Sequence, residues 1–106
     1  MVKQGDIILI NFDPVRGHEQ GKTRPAIVVS SDGYNNICGG LAIVCPISHA
    51  NDFPLHVKLP EGLKTDGSVL CQHAKTFDIE ARGYRYIESV PSDFKKQIVD
   101  TVKACF

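Results

Sequence analysis

The chain has 106 residues, 42% of them hydrophobic and 23% charged, with twelve basic side chains balancing twelve acidic ones. A chain of this length buries roughly 60 to 70% of the surface its unfolded form exposes, enough for one modest core, so a single domain over residues 1–106 is expected. Net neutrality excludes an overall positive field that would hold nucleic acid unselectively; any such partner needs a local basic patch. No apolar run approaches the ~18 residues of a membrane span, and the start shows no signal-peptide pattern, so a cytoplasmic protein is expected.

In chain order, the β signals come at short intervals broken by Gly, Pro, Asn and Asp. Strands are predicted over residues 6–12 (DIILINF), 25–31 (PAIVVSS), 41–48 (LAIVCPIS), 55–59 (LHVKL), 68–77 (SVLCQHAKTF) and 84–90 (YRYIESV). The first two are nearly continuous in apolar character, as strands covered on both faces are. Pro46 falls near the end of its run, where a missing N–H is tolerable at an edge or bulge. In PSDFKKQIVDTVKACF, Phe94, Ile98, Val102 and Cys105 recur at helical spacing with Lys95, Lys96, Asp100 and Lys103 turned outward. This predicts a closing amphipathic helix, with Ser92 as N-cap and Asp93 in its first turn. Six short strands and one helix suggest a mainly β fold, a compact barrel or sandwich.

The four cysteines, Cys38, Cys45, Cys71 and Cys105, form no C-x-x-C pair and read as buried free thiols. The histidines His18, His49, His56 and His73 are scattered, without metal-ligand spacing, so no metal site and no cofactor are expected. If residues 68–77 form one extended strand, Gln72 and His73 point to opposite faces and only one enters a site. The same alternation puts Cys71 beside His73, but nothing around them suggests a lowered thiol pKa or a third orienting group.

The chemistry concentrates in GHEQGKTRP, residues 17–25, within a connection of about a dozen residues where a hairpin needs two to five. Arg24 stands at the last loop position before a strand, where the framework fixes its Cα and the guanidinium offers a planar fork suited to phosphate. Arg16 and Lys22 add local positive charge. A solvated charged loop, a metal site and an anion-binding site are the three readings of this segment.

GDIILINFDPVRGHEQGKTRPAIVVSSDGYN resembles the N-terminal signature of the MazF/PemK toxins; CPIS resembles their third-strand element, and GSVLCQHAKTFDIEARG their later block. The resemblance runs from Gly5 to about Val90. It implies an SH3-like β-barrel with a C-terminal α-helix, a homodimer, a cognate antitoxin, and sequence-specific, metal-independent cleavage of single-stranded RNA, including mRNA. In that chemistry the RNA's own 2′-hydroxyl attacks, leaving a 2′,3′-cyclic phosphate and a 5′-hydroxyl, and growth is inhibited. Arg24 matches the family's catalytic arginine, and Ser48 stands where many relatives carry threonine and keeps the hydroxyl. His18 falls on a loop histidine that some members use as acid or base; a free imidazole titrates near about pH 6.5. Glu19, Gln20, Lys22, Gln72, His73 and Lys75 are the expected RNA contacts, with Tyr34 and Phe53 as candidates for base stacking and Phe12, Phe77 and Phe94 as core. Several members have an acid where this chain has Gln72, so a mechanism relying on that carboxylate has none here, and His73 either takes over proton transfer or reads RNA. Two other classes stay open: a gyrase poison of the CcdB type, which shares the barrel architecture, and a catalytically inactive binding module.

Overall fold

The computed structural model describes residues 1–12, 23–49 and 54–106. Strands β1 (Asp6–Asn11), β2 (Thr23–Val28) and β3 (Leu41–Ser48) form an antiparallel centre, with β1 also pairing β7 (Arg85–Ser89) at one edge. β3 is the longest strand and changes partner along its other side. Its first half pairs β6 (Lys75–Asp78), and its last two residues pair β5 (Ser68–Leu70), which carries β4 (His56–Lys58) beyond it. The path β4-β5-β3-β2-β1-β7, with β6 off it, is a strongly bent, barrel-like sheet. Among the described residues three α-helices complete it: α1 (Asp32–Ile37), α2 (Ile79–Arg82) and α3 (Ser92–Lys103).

Both faces of the central strands are covered, as their apolar runs predict. Ile7, Ile27, Cys45 and Ile47 face one core, closed by Phe94, Ile98 and Val102 of α3. Ile8, Ile10, Ala26, Val28 and Val44 face the other, with Phe77 and Ile79. Cutting one of the fully buried isoleucines back to alanine in such a core costs about 2–5 kcal/mol.

Pro46 explains the change of partner. Ile43 directs its carbonyl to β2, where Val29 N–H donates to it at 2.9 Å. By alternation Pro46 directs its backbone to the other side, into the gap where pairing with β6 has ended at Val44 and pairing with β5 begins at Ile47. The missing N–H falls where no ladder bond is made.

Several expectations need correction. The run 68–77 is two strands separated by a 3₁₀ turn at Cys71–His73, so there are seven strands among the described residues. The helix α1 lies where no element is predicted: Ser31 Oγ accepts from Tyr34 N–H at 3.1 Å, and buried Asn35 bonds to Ser30, turning the chain at the end of β2. Tyr34 is therefore a helix residue. Ser92 is the first residue of α3 and not its cap; Pro91 holds that position without a side-chain bond. Cys105 lies beyond the helix and is exposed, and Cys38 is half-buried, so only Cys45 and Cys71 are buried thiols.

The segment between β4 and β5 is fastened at two points. Gly67 has φ +117°, and a Cβ there would lie 2.9 Å from the Ser48 carbonyl oxygen. The Glu88 carboxylate on β7 accepts from Lys64 N–H at 3.0 Å and from Thr65 N–H and hydroxyl, each at 2.8 Å. Desolvation pushes this carboxyl up, but the three hydrogen bonds and the Lys64 charge outweigh it and hold it below the ordinary carboxylate range. Gly67→Ala should cost about 1–3 kcal/mol in denaturant unfolding, because both the backbone region and the contact with Ser48 are unfavourable. A lowered carboxyl stabilises the fold above its unfolded pKa and loses that contribution as pH falls through the folded one. The difference in melting temperature between wild type and Glu88→Gln should therefore be constant near neutrality, begin to shrink near the ordinary carboxyl pKa of about 4.3, and go on shrinking as pH falls through the lowered folded value.

Candidate functional site

Arg24 lies half-buried at the start of β2, opposite Ile10 of β1. It belongs to the Ala26–Val28 row, on the sheet face away from α3, at the point where the second core ends. Here a cleft of about 530 Å³ opens. Arg24, Gln72, His73 and Lys75 supply its polar lining, and Phe12, Pro46 and Leu70 are among its apolar walls. The two formal cations meet no acidic side chain among the described lining residues, so this is the local positive patch that a neutral chain needs to hold an anion.

The 3₁₀ turn changes what the sequence suggests about residues 71–73. In place of strand alternation, the turn brings both Gln72 and His73 to the cleft wall and buries Cys71 in the α3-side core. Cys71 and His73 therefore do not form a pair. Burial pushes the Cys71 thiol up from 9.0 to about 11 and the Cys45 thiol to about 12, and each S–H points at a backbone oxygen. Neither is a nucleophile near neutrality.

The Gln72 amide is held from outside the cleft. Its Nε2 lies 2.9 Å from His56 Nε2 on β4, and its Oε1 is shielded with no hydrogen-bond partner among the described residues. A shielded acceptor without a partner costs about 1–3 kcal/mol. Phe12 contributes an edge-on contact to Phe77, with centroids 5.2 Å apart and planes at 88°. Two cations lie over the Phe77 ring, Arg82 at 4.5 Å and Lys75 at 5.5 Å from its centroid. Arg82 also donates to the Asn11 carbonyl at 2.8 Å. Phe77 and Phe94 are buried as expected, whereas Phe12 is half-buried and lines the cleft.

Ser48 is not part of the described cleft wall. It sits half-buried at the end of β3, on the same strand face as Pro46, which does line the cleft, and opposite Ser68 of β5. His18, Glu19, Gln20, Lys22 and Phe53 lie outside the described residues. Two contributors were missed by sequence reasoning. Phe12 reads as core because it ends an apolar run, and His56 reaches Gln72 only because β4 pairs β5 with His56 opposite Leu70. No local pattern signals either.

Comparison with known proteins identifies the family. The model for PemK-like, MazF-like toxins of type II toxin-antitoxin systems matches residues 3–106. The chain belongs to this family. It is 32% identical over 103 residues to endoribonuclease PemK of Escherichia coli, covering 92% of this chain and 77% of that protein. It is 38% identical over 79 residues to the endoribonuclease toxin MazF of Escherichia coli, covering 74% and 70%. Among solved structures, MazF from Deinococcus radiodurans superposes with a TM-score of 0.83 at 33% identity, covering 97% of this chain and 94% of that one. A MazE-MazF complex from the same organism gives 0.86 at 33% identity, covering 97% and 93%. The PemK/MazF fold thus accounts for the bent sheet and its closing helix. Among the described residues no three His, Cys, Asp or Glu side chains converge as a metal site, and no helix is long and apolar enough to cross a membrane.

The burial pattern predicts thiol reactivity. At pH 8, a maleimide or disulfide reagent should label exposed Cys105 first and Cys38 more slowly, with Cys45 and Cys71 reacting only after denaturation. Mass spectrometry of the labelled peptides gives the order.

Proposed function

We propose that this chain is the toxin of a type II toxin-antitoxin pair and an endoribonuclease that cuts single-stranded RNA, mRNA included, without a metal ion. The observation that carries the reading is Arg24. A strand-fixed guanidinium shares one cleft with Gln72, His73 and Lys75, in a chain belonging to a family whose relatives are named endoribonucleases. In the reaction the 2′-oxygen forms a bond to the adjacent phosphorus while the P–O5′ bond breaks. The 2′-hydroxyl proton leaves to a base, and the 5′-oxygen gains one, giving cyclic-phosphate and 5′-hydroxyl ends. Arg24 stabilises the negative charge that concentrates on the non-bridging oxygens, in a place where the protein's own dipoles replace water. Lys75 holds a neighbouring backbone phosphate, and Gln72 and His73 read base edges or ribose hydroxyls. Ser48 donates a hydrogen bond to the phosphate, and His18, Glu19, Gln20 and Lys22 complete the site from the loop before β2.

The same reading gives the chain a cognate antitoxin, supported by solved complexes of related toxins such as the MazE-MazF pair of Deinococcus radiodurans. An acidic, extended inhibitor segment suits a cationic cleft between apolar walls. A homodimer and a cytoplasmic site of action belong to the proposal as well.

The test is digestion of a mixed-sequence RNA in EDTA with the ends mapped. Wild type should give specific cuts bearing cyclic phosphates. Arg24→Ala should lower kcat/KM by about 10²–10³-fold. Ser48→Ala should lower it by about 2–10-fold, the worth of one neutral hydrogen bond. Cutting that requires a divalent metal, or that survives unchanged without Arg24, contradicts the assignment. Inhibition of gyrase supercoiling by a chain that cuts no RNA would place it with the gyrase poisons.

A further inference from the structure

Attack by an RNA 2′-hydroxyl needs a group that takes up a proton at neutral pH. The polar residues of the described cleft wall are Arg24, Gln72, His73 and Lys75. Guanidinium and ammonium groups keep their protons near neutrality and supply charge, and a carboxamide neither gives nor takes one. An imidazole exchanges its proton in that range. No carboxylate lines the cleft among the described residues, and the thiol two residues away, on Cys71, is buried in the α3-side core. His73 is thus the one proton acceptor that the described wall offers.

The 3₁₀ turn gives His73 a fixed support. Cys71 is sunk in the core and its N–H donates to the Leu55 carbonyl at 3.2 Å, while Gln72 Nε2 lies 2.9 Å from His56 Nε2 on β4. Two residues further on, Lys75 begins β6 and pairs with Val44. His73 stands between these pinned neighbours, and its own side chain is exposed. A base must be held in place yet reach solvent to shed its proton after each turnover, and this position allows both.

Resting on the endoribonuclease reading above, we propose that His73 is the general base of the cut, so that the ribose hydroxyl it contacts is the attacking one. Neutral His73 takes the 2′-hydroxyl proton as the O2′–P bond forms. The P–O5′ bond breaks, the 5′-oxygen takes a proton from water in the open cleft, and the imidazolium returns its proton to solvent. The charged and titratable groups that face this turn are Arg24 of β2, Lys75 of β6, His56 of β4 behind Gln72, and Lys103 of α3 in the groove beside Ala74. None of them is an acid. The rival for the role is His18 of the loop before β2, which lies outside the described residues.

The test compares wild type, His73→Gln, His73→Ala and His18→Gln on an RNA with one mapped cut. It reads the single-turnover rate at saturating protein across the pH range, binding of the same RNA made uncleavable by a 2′-deoxy scissile ribose, and thermal melting. His73→Gln keeps hydrogen-bonding groups but cannot carry a proton. It should cut about 10²–10⁴-fold more slowly while binding within about 3-fold of wild type, and the fall in rate toward acid pH seen in wild type should be gone. Added imidazole should return part of the rate to His73→Ala. Sulfur in place of the bridging 5′-oxygen gives a leaving group that needs no proton, and the His73→Gln defect should persist on that substrate.

A His73→Gln variant that melts and cuts as wild type overturns the proposal, as does one that loses binding but keeps its rate and pH profile, the behaviour of a residue that only reads RNA. Loss of the acid limb in His18→Gln, with the limb kept in His73→Gln, gives the role to the loop. A defect that disappears on the sulfur substrate makes His73 the acid and overturns its assignment as base. A wild-type chain that cuts no RNA fails earlier, and that failure belongs to the nuclease reading.

Discussion

The structure depends on β3 exchanging one partner for another halfway along its length. One side pairs β2 through Val44–Pro46, while the other passes from β6 to β5 at Pro46. The backbone there offers no N–H, so the ladder divides at a position that has nothing to donate. The divided ladder bends the sheet, lets α3 close one face, and leaves the opposite face open beside Pro46. That opening is the cleft. A longer, evenly paired β3 would have continued the sheet across it.

The cleft's chemistry follows from its position at the end of a core. Arg24 continues the row of Ala26 and Val28 to where solvent begins, so its stem rests on framework while its head stays free of a carboxylate among the described lining residues. Lys75 and Arg82 both lie over the Phe77 ring, and Phe12 meets that ring edge-on. A second groove of similar volume near the end of α3, with Val99, Val102 and Phe106 beside Gln4, Ser30, Thr76 and Lys103, shares Ala74 and Lys75 with the cleft.

The legible part of the fold was the part written as unbroken apolar runs. β1, β2, β3 and α3 follow from DIILIN, AIVV, LAIVCPIS and the Phe94–Ile98–Val102 spacing, because burial on two faces or one stripe leaves a direct mark. The turn at Cys71–His73 left none. CQH contains no Gly or Pro, and the residues on both sides favour strands, so a reading by alternation assigned Gln72 and His73 to opposite faces. The bend that brings them together is imposed by β3 switching partners some 25 residues earlier in the chain. His56 is illegible for the same reason: its partner is set by strand pairing at a distance. The family was legible through its signature, whereas Arg24, expected at the last loop position before a strand, is the second residue of β2 itself.

Burying both faces of β1 has a cost in specification. In most half-exposed strands a slip of one residue drives oil into water and corrects itself. Here Ile7, Ile8 and Ile10 are all enclosed, so a misaligned β1 would be almost as greasy on either side as the correct one. What tells the alignments apart is polar. Asp6 receives Ser89 Oγ at 2.7 Å and Lys3 N–H at 2.9 Å, and Gly5 bonds to Val28 and Val90. A slipped chain would still collapse, but it would strand a carboxylate in the dark, and that single misplaced charge is the error signal by which this small protein recognises its own correct thread.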